Sequence, residues 1–83
     1  MATKKTPEEI ALERRNAVIM YREAAYNLMH FKIGEPKVND RAKRALTKAQ
    51  GMMMAAFGKS DAEQRMTAIT REITRQYAKE MSA

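Results

Sequence analysis

From Pro7 onward, apolar residues return at every third, fourth or seventh position, and nowhere do they alternate in the two-residue rhythm of a strand. The pattern is helical along its whole length and breaks twice. In the first stretch Ile10, Ala17, Tyr21, Ala24, Ala25 and Leu28, flanked by Val18 and Phe31, share one face until Gly34-Glu35-Pro36 interrupts them. Thr6-Pro7-Glu8-Glu9 supplies a start signal. Thr6 is placed to accept from the Glu9 amide, and proline suits a first helical position because its missing N–H has no partner to lose there. A helix is expected over 7–32, then a loop over about 33–38, since a proline biases the residue before it away from helical angles.

The second stretch carries the cleanest stripe: Ala42, Ala45, Leu46, Ala49, Met52, Met53, Ala56 and Phe57, with Asn39 as the expected cap of a helix over 40–57. Gly51 interrupts that helix and is read as a close helix crossing. Gly58 is the expected stop, since glycine enters the left-handed conformation without steric penalty. Ser60-Asp61-Ala62-Glu63 reads as a capping box for a third helix over 61–80, with Ala62, Met66, Ile69, Ile73 and Tyr77 inward. The expected fold class is therefore all-α: a small three-helix bundle, with residues 1–5 as a disordered basic tail and 6–83 as one helical domain.

A second apolar ridge changes that picture. Leu12, Ile19, Tyr26 and Ile33 recur every seven residues on the side of the first helix away from its core stripe, and Tyr26 is the one aromatic expected to face outward. A helix in a closed bundle needs one apolar side. A chain of 83 residues buries only about 60% of its unfolded surface and has no cysteine to staple it, so the ridge Leu12, Ile19, Tyr26 is expected to join copies into a homo-oligomer.

Charge adds a partner class. Of the net charge of +6, four units fall between Lys32 and Lys48, where Lys32, Lys37, Arg41, Lys43, Arg44 and Lys48 face only Glu35 and Asp40. A local positive field concentrates polyanions on one face, which a diffuse excess does not do. Arg41, Arg44 and Lys48 form one row beside the stripe of the second helix, and Arg71, Arg75 and Lys79 form another on the third. Arg41–Arg44 near a helix start run against the macrodipole, which favours a binding role over simple solubility. The expected partner is anionic: DNA or RNA contacted through its backbone, or an acidic protein surface. No helix-turn-helix accompanies the patch, because aligning Gln50–Thr67 puts Met54, Lys59 and Gln64 where that motif needs other residue types. Nor is there a stacking platform for single strands, since Tyr21, Phe31, Phe57 and Tyr77 lie on inward stripes.

Chemistry has little material. His30 is the only histidine, so no metal site is expected, and with no cysteine and two serines, Ser60 and Ser82, neither a catalytic residue nor a cofactor nor a small-molecule substrate is expected. Met54 points away from the core stripe and is a candidate for an adaptable contact surface. No secretory signal precedes Pro7, and the longest apolar run, Met52–Phe57, is far short of a membrane span. A basic amphipathic helix lying on a membrane surface is disfavoured, because the second helix needs its stripe for the core. The expectation is a non-enzymatic binding module in the cytoplasm, the host's cytoplasm for a viral chain. In size and charge it is similar to small accessory proteins of bacteriophages and plasmids. The other expectation is a protein–protein module, an inhibitor of a host or defence complex or a virion-assembly component.

Overall fold

The computed structural model describes residues 5–30 and 36–82, with side chains for 5–29 and 40–82. Three α-helices make up those residues: α1 Pro7–His30, α2 Pro36–Phe57 and α3 Lys59–Ser82, each touching both others. The fold is the expected all-α three-helix bundle, and the described residues include no strand.

α1 begins as its cap dictates. The Glu9 amide donates to Thr6 Oγ1 at 3.2 Å, which satisfies one of the donors a helix start leaves open, and the Ile10 amide makes the first regular helix bond, to the Thr6 carbonyl at 3.0 Å. α2 starts four residues earlier than the stripe suggests. Pro36 acts as its first helical residue instead of the end of a loop, so residues 36–38 are helical and Asn39 lies inside the first turn. The rest of the expected loop, together with Phe31, Lys32 and Ile33, lies outside the described residues, as do residues 1–4 of the expected tail. Lys5 is described, and its ammonium lies 2.7 Å from Glu13.

The turn between α2 and α3 is a single residue. Gly58 has φ +84°, donates to the Met54 carbonyl at 2.9 Å, and accepts from the Ala62 amide at 2.9 Å. One glycine thus ends α2 and opens α3. Ser60 is not the cap it was expected to be: α3 already runs from Lys59, and Asp61 sits in its first turn, 3.2 Å from Arg65.

The core follows the stripes. Ala17, Ala49, Met53 and Ala62 are wholly buried and Ile73 nearly so, with Tyr21, Ala24, Ala25, Met66 and Ile69 around them. Alanines on all three helices let the backbones approach closely, and Met53 and Ile73 fill the space between. Tyr21 bridges to α3 through Thr70 at 2.9 Å. The Thr70 hydroxyl has one hydrogen, which goes to the Met66 carbonyl at 2.8 Å, so Tyr21 is the donor. Among the described residues no buried side-chain nitrogen or oxygen lacks a partner.

Three positions depart from their stripes. Ile10 and Ala45 are exposed, although both were expected on the buried stripes. Gly51 is exposed, and a Cβ there would meet nothing within 4 Å, so no helix crosses at this glycine.

Candidate anion-binding face

The described cations divide into those already engaged and those that are not. Lys5 pairs with Glu13, Arg22 with Glu72 at 3.2 Å, and Arg65 with Asp61. Arg14 and Arg65 stack on the ring of Phe57, with guanidinium carbons 5.4 and 4.4 Å from its centroid, and Arg14 Nε also donates to the Ala56 carbonyl at 3.2 Å. These arginines close the end of the bundle where α2 turns into α3. Their structural role was not visible in the sequence, because it depends on where Phe57 lies between the other two helices.

Arg41, Lys43, Arg44 and Lys48 are all exposed, and among the described residues no carboxylate lies within ion-pair distance of them. Arg71, Arg75 and Lys79 are exposed and without an ion pair in the same sense. Lys37 belongs to the first turn of α2, its side chain outside the described residues, and Lys32 lies outside them altogether.

Because α1, α2 and α3 run up, down and up, the start of α2 and the end of α3 lie at one end of the bundle. Arg41, Arg44, Arg75 and Lys79 are therefore gathered at that end. They are not gathered on one side. At about 100° per residue, Arg41, Arg44 and Lys48 fall on one flank of the Ala42–Ala49–Met53 stripe, and Lys43 and Gln50 on the other. Gln50 shares a groove of about 460 Å³ with Tyr21 of α1 and with Met66, Thr70 and Arg71 of α3, so its flank is the one turned toward α3. The main row of α2 consequently faces away from α3. On α3, Arg71 borders this groove, while Arg75 and Lys79 swing around the back of the helix toward the side of Glu72, which meets α1.

The longer α2 also moves the helix field. A macrodipole acts within the first turn, which here holds Lys37 and no acidic residue, whereas Arg41 and Arg44 now stand in the second and third turns. The opposition between charge and dipole expected for Arg41–Arg44 is thus confined to Lys37.

The expected oligomer ridge is only partly free. Leu12 and Ile19 are 58% and 48% exposed, but Tyr26 is half-buried and its hydroxyl donates to Glu80 Oε2 at 2.6 Å. Tyr26 is therefore not the outward aromatic expected from its spacing, because α3 reaches it. Ile19, Arg22, Glu23 and Tyr26 border a shallow groove of about 350 Å³ floored by Ile73. Met54, 41% exposed, points away from the core as its position in the stripe requires.

Among the described residues no cluster of three histidine, cysteine or carboxylate side chains forms, and the side chain of His30 is outside them. None of the described helices is long and apolar enough to cross a membrane. Family models, curated proteins and solved structures were compared with the chain, and none matches it.

Proposed function

We propose that the chain is a non-enzymatic binding module that engages nucleic acid, or a complex that handles it, through the exposed cations of α2. The observation that carries this reading is the contrast in charge pairing. Lys5, Arg22 and Arg65 pair with carboxylates of their own fold, and Arg15, Lys59, Arg71, Arg75 and Lys79, unpaired among the described residues, lie on helices that carry four carboxylates each, whereas Arg41, Lys43, Arg44 and Lys48 are left exposed on a helix whose one acid is Asp40. Such groups displace condensed counterions from a phosphate backbone and gain free energy that depends steeply on salt. Base reading has no equipment here, so binding is expected to be indifferent to sequence.

Fluorescence anisotropy with a labelled duplex and a labelled single strand, over a salt series, tests the proposal. Binding at micromolar concentration or tighter in low salt, falling steeply as salt rises, is the expected result. The double variant Arg41→Glu, Arg44→Glu, with helicity unchanged by circular dichroism, should abolish it. Flat anisotropy at low salt removes nucleic acid as the partner. An acidic protein surface then becomes the anionic partner to be captured, using nuclease-treated lysate.

A further inference from the structure

We propose that Gly51 is the place where a nucleic-acid backbone comes closest to α2, lying on bare helix surface beside Arg44 and Lys48. The proposal rests on the anion-binding reading of α2 and adds to it the point of contact. It starts from a residue that the fold itself does not use. Glycine is, after proline, the least favourable residue inside a helix, because it has the most backbone freedom to lose. It has a structural reason there when the backbone needs a positive φ or when a neighbour leaves no room for a side chain. Gly51 has neither. Among the described residues the glycine with positive φ is Gly58, and a Cβ at Gly51 would meet nothing within 4 Å.

Its neighbours are the cations of the candidate site. At about 100° per residue, Gly51 stands roughly opposite the centre of the buried Ala42, Ala49 and Met53 stripe, and it is exposed. Arg44 lies about 20° from the same line and Lys48 about 60° from it, roughly 10.5 and 4.5 Å back along the axis. Both are exposed, and among the described residues neither has a carboxylate within ion-pair distance. The one acid of α2, Asp40, is about 16.5 Å back along the axis from Gly51. Helical side chains lean toward the N-terminus, so a side chain at position 51 would cover the turn that holds Thr47 and Lys48. Its absence leaves that turn bare at the cation row.

Bare surface matters most to a partner whose charge is in its backbone. An acidic protein carries its carboxylates at the tips of side chains, which reach a lysine or arginine without the two backbones meeting. In a nucleic acid the phosphates are part of the chain itself, so the strand as a whole has to approach. A strand resting on the turn before Gly51 brings its phosphates within short reach of Arg44 and Lys48, and the attraction grows as that distance shrinks. A bulky side chain at position 51 holds the strand off.

Stability and binding should therefore move in opposite directions at this position. The test is anisotropy of a labelled duplex titrated with the full chain over a salt series, using the parent, Gly51→Ala, Gly51→Leu and, as a control for added bulk, Ala68→Leu on the exposed surface of α3. Both Gly51 variants should raise the thermal midpoint, since alanine and leucine are better helix formers and the space is open. Gly51→Leu should nonetheless weaken binding roughly eightfold at 0.1 M salt and make the salt slope shallower by about one, as the loss of one phosphate contact requires. Gly51→Ala should act in the same direction and less, and Ala68→Leu should change neither affinity nor slope. A Gly51→Leu variant that binds as tightly as the parent overturns the inference and leaves the anion-binding reading standing. A loss of affinity with the slope unchanged also overturns it, since no phosphate contact would have been given up, and so does an equal loss from Ala68→Leu. A parent that fails to bind the duplex at low salt removes the anion-binding reading for nucleic acid, and this contact with it.

Discussion

The Tyr26 hydroxyl donates a hydrogen bond to the Glu80 carboxylate across 2.6 Å, tying the C-terminal part of α1 to the last turn of α3. The bond requires the protonated phenol. Glu80 as acceptor, followed by partial desolvation and the nearby negative charge, therefore raises the Tyr26 pKa above the ordinary 10.0. A group whose folded pKa is raised stabilises the fold fully below its unfolded pKa and ceases to do so as pH rises through the folded one. The contribution of this bond is thus complete up to about pH 10 and fades above it. Tyrosinate absorbance during an alkaline titration should show a late phase that belongs to Tyr26. Tyr26→Phe should remove that late phase, and Glu80→Gln should bring it toward the ordinary value.

The core makes opposite demands at its large and small positions. Ile73 is 1% exposed and packs where α3 meets the other helices, so Ile73→Ala should cost about 2–5 kcal/mol by removing apolar contact and leaving a cavity. Ala49 is wholly buried among residues of the same cluster, and Ala49→Leu should destabilise by roughly 1–3 kcal/mol because the added carbons have nowhere to go. Urea unfolding followed by circular dichroism measures both. An Ala49→Leu variant as stable as the parent would mean that the helices are not in close contact at that level.

Two glycines in neighbouring turns should respond in opposite ways to the same substitution. Gly51 lies within α2, exposed and with open space where a Cβ would stand, so Gly51→Ala should stabilise by about 1 kcal/mol through helix propensity alone. Gly58 also has open space, but its φ of +84° is one that L side chains rarely adopt. Gly58→Ala should therefore destabilise by roughly 1–2 kcal/mol. Thermal midpoints of the two variants should move to either side of the parent's.

These residues also show what a linear pattern can carry. Thr6 and Gly58 were legible because caps and left-handed turns are local: the atoms that need satisfying lie within a few residues of the one that does it. Pro36 was legible only as an interruption, since the same ring suits both the end of a loop and the first position of a helix, and the choice depends on what precedes it. Tyr26 looked outward because its spacing matched Leu12 and Ile19, yet Glu80, 54 positions away, decides its environment. The same limit applies to the candidate site. The row Arg41, Arg44, Lys48 follows from helical spacing, but its direction relative to Arg71, Arg75 and Lys79 depends on how α2 and α3 are rotated about their own axes. Only a contact between them, such as the groove shared by Gln50 and Arg71, fixes that rotation.

The separation of the two rows makes the salt dependence of binding informative. Were both rows to grip one duplex, six cations would be neutralised, and the logarithm of affinity would fall with the logarithm of salt with a slope near −5. With the main α2 row turned away from α3, a duplex lying on it meets Arg41, Arg44 and Lys48, and the slope per chain from that row should be about −3. Charge reversal should divide the same way. Arg41→Glu with Arg44→Glu should lower the slope by roughly 2 and weaken binding severely, while Arg75→Glu with Lys79→Glu should leave the slope nearly unchanged. The second pair lies on an exposed helix back, so helicity should be kept in both variants. Equal losses from the two pairs would mean that α2 and α3 present their cations to one partner together, and the placement of the binding face on α2 alone would have to be given up.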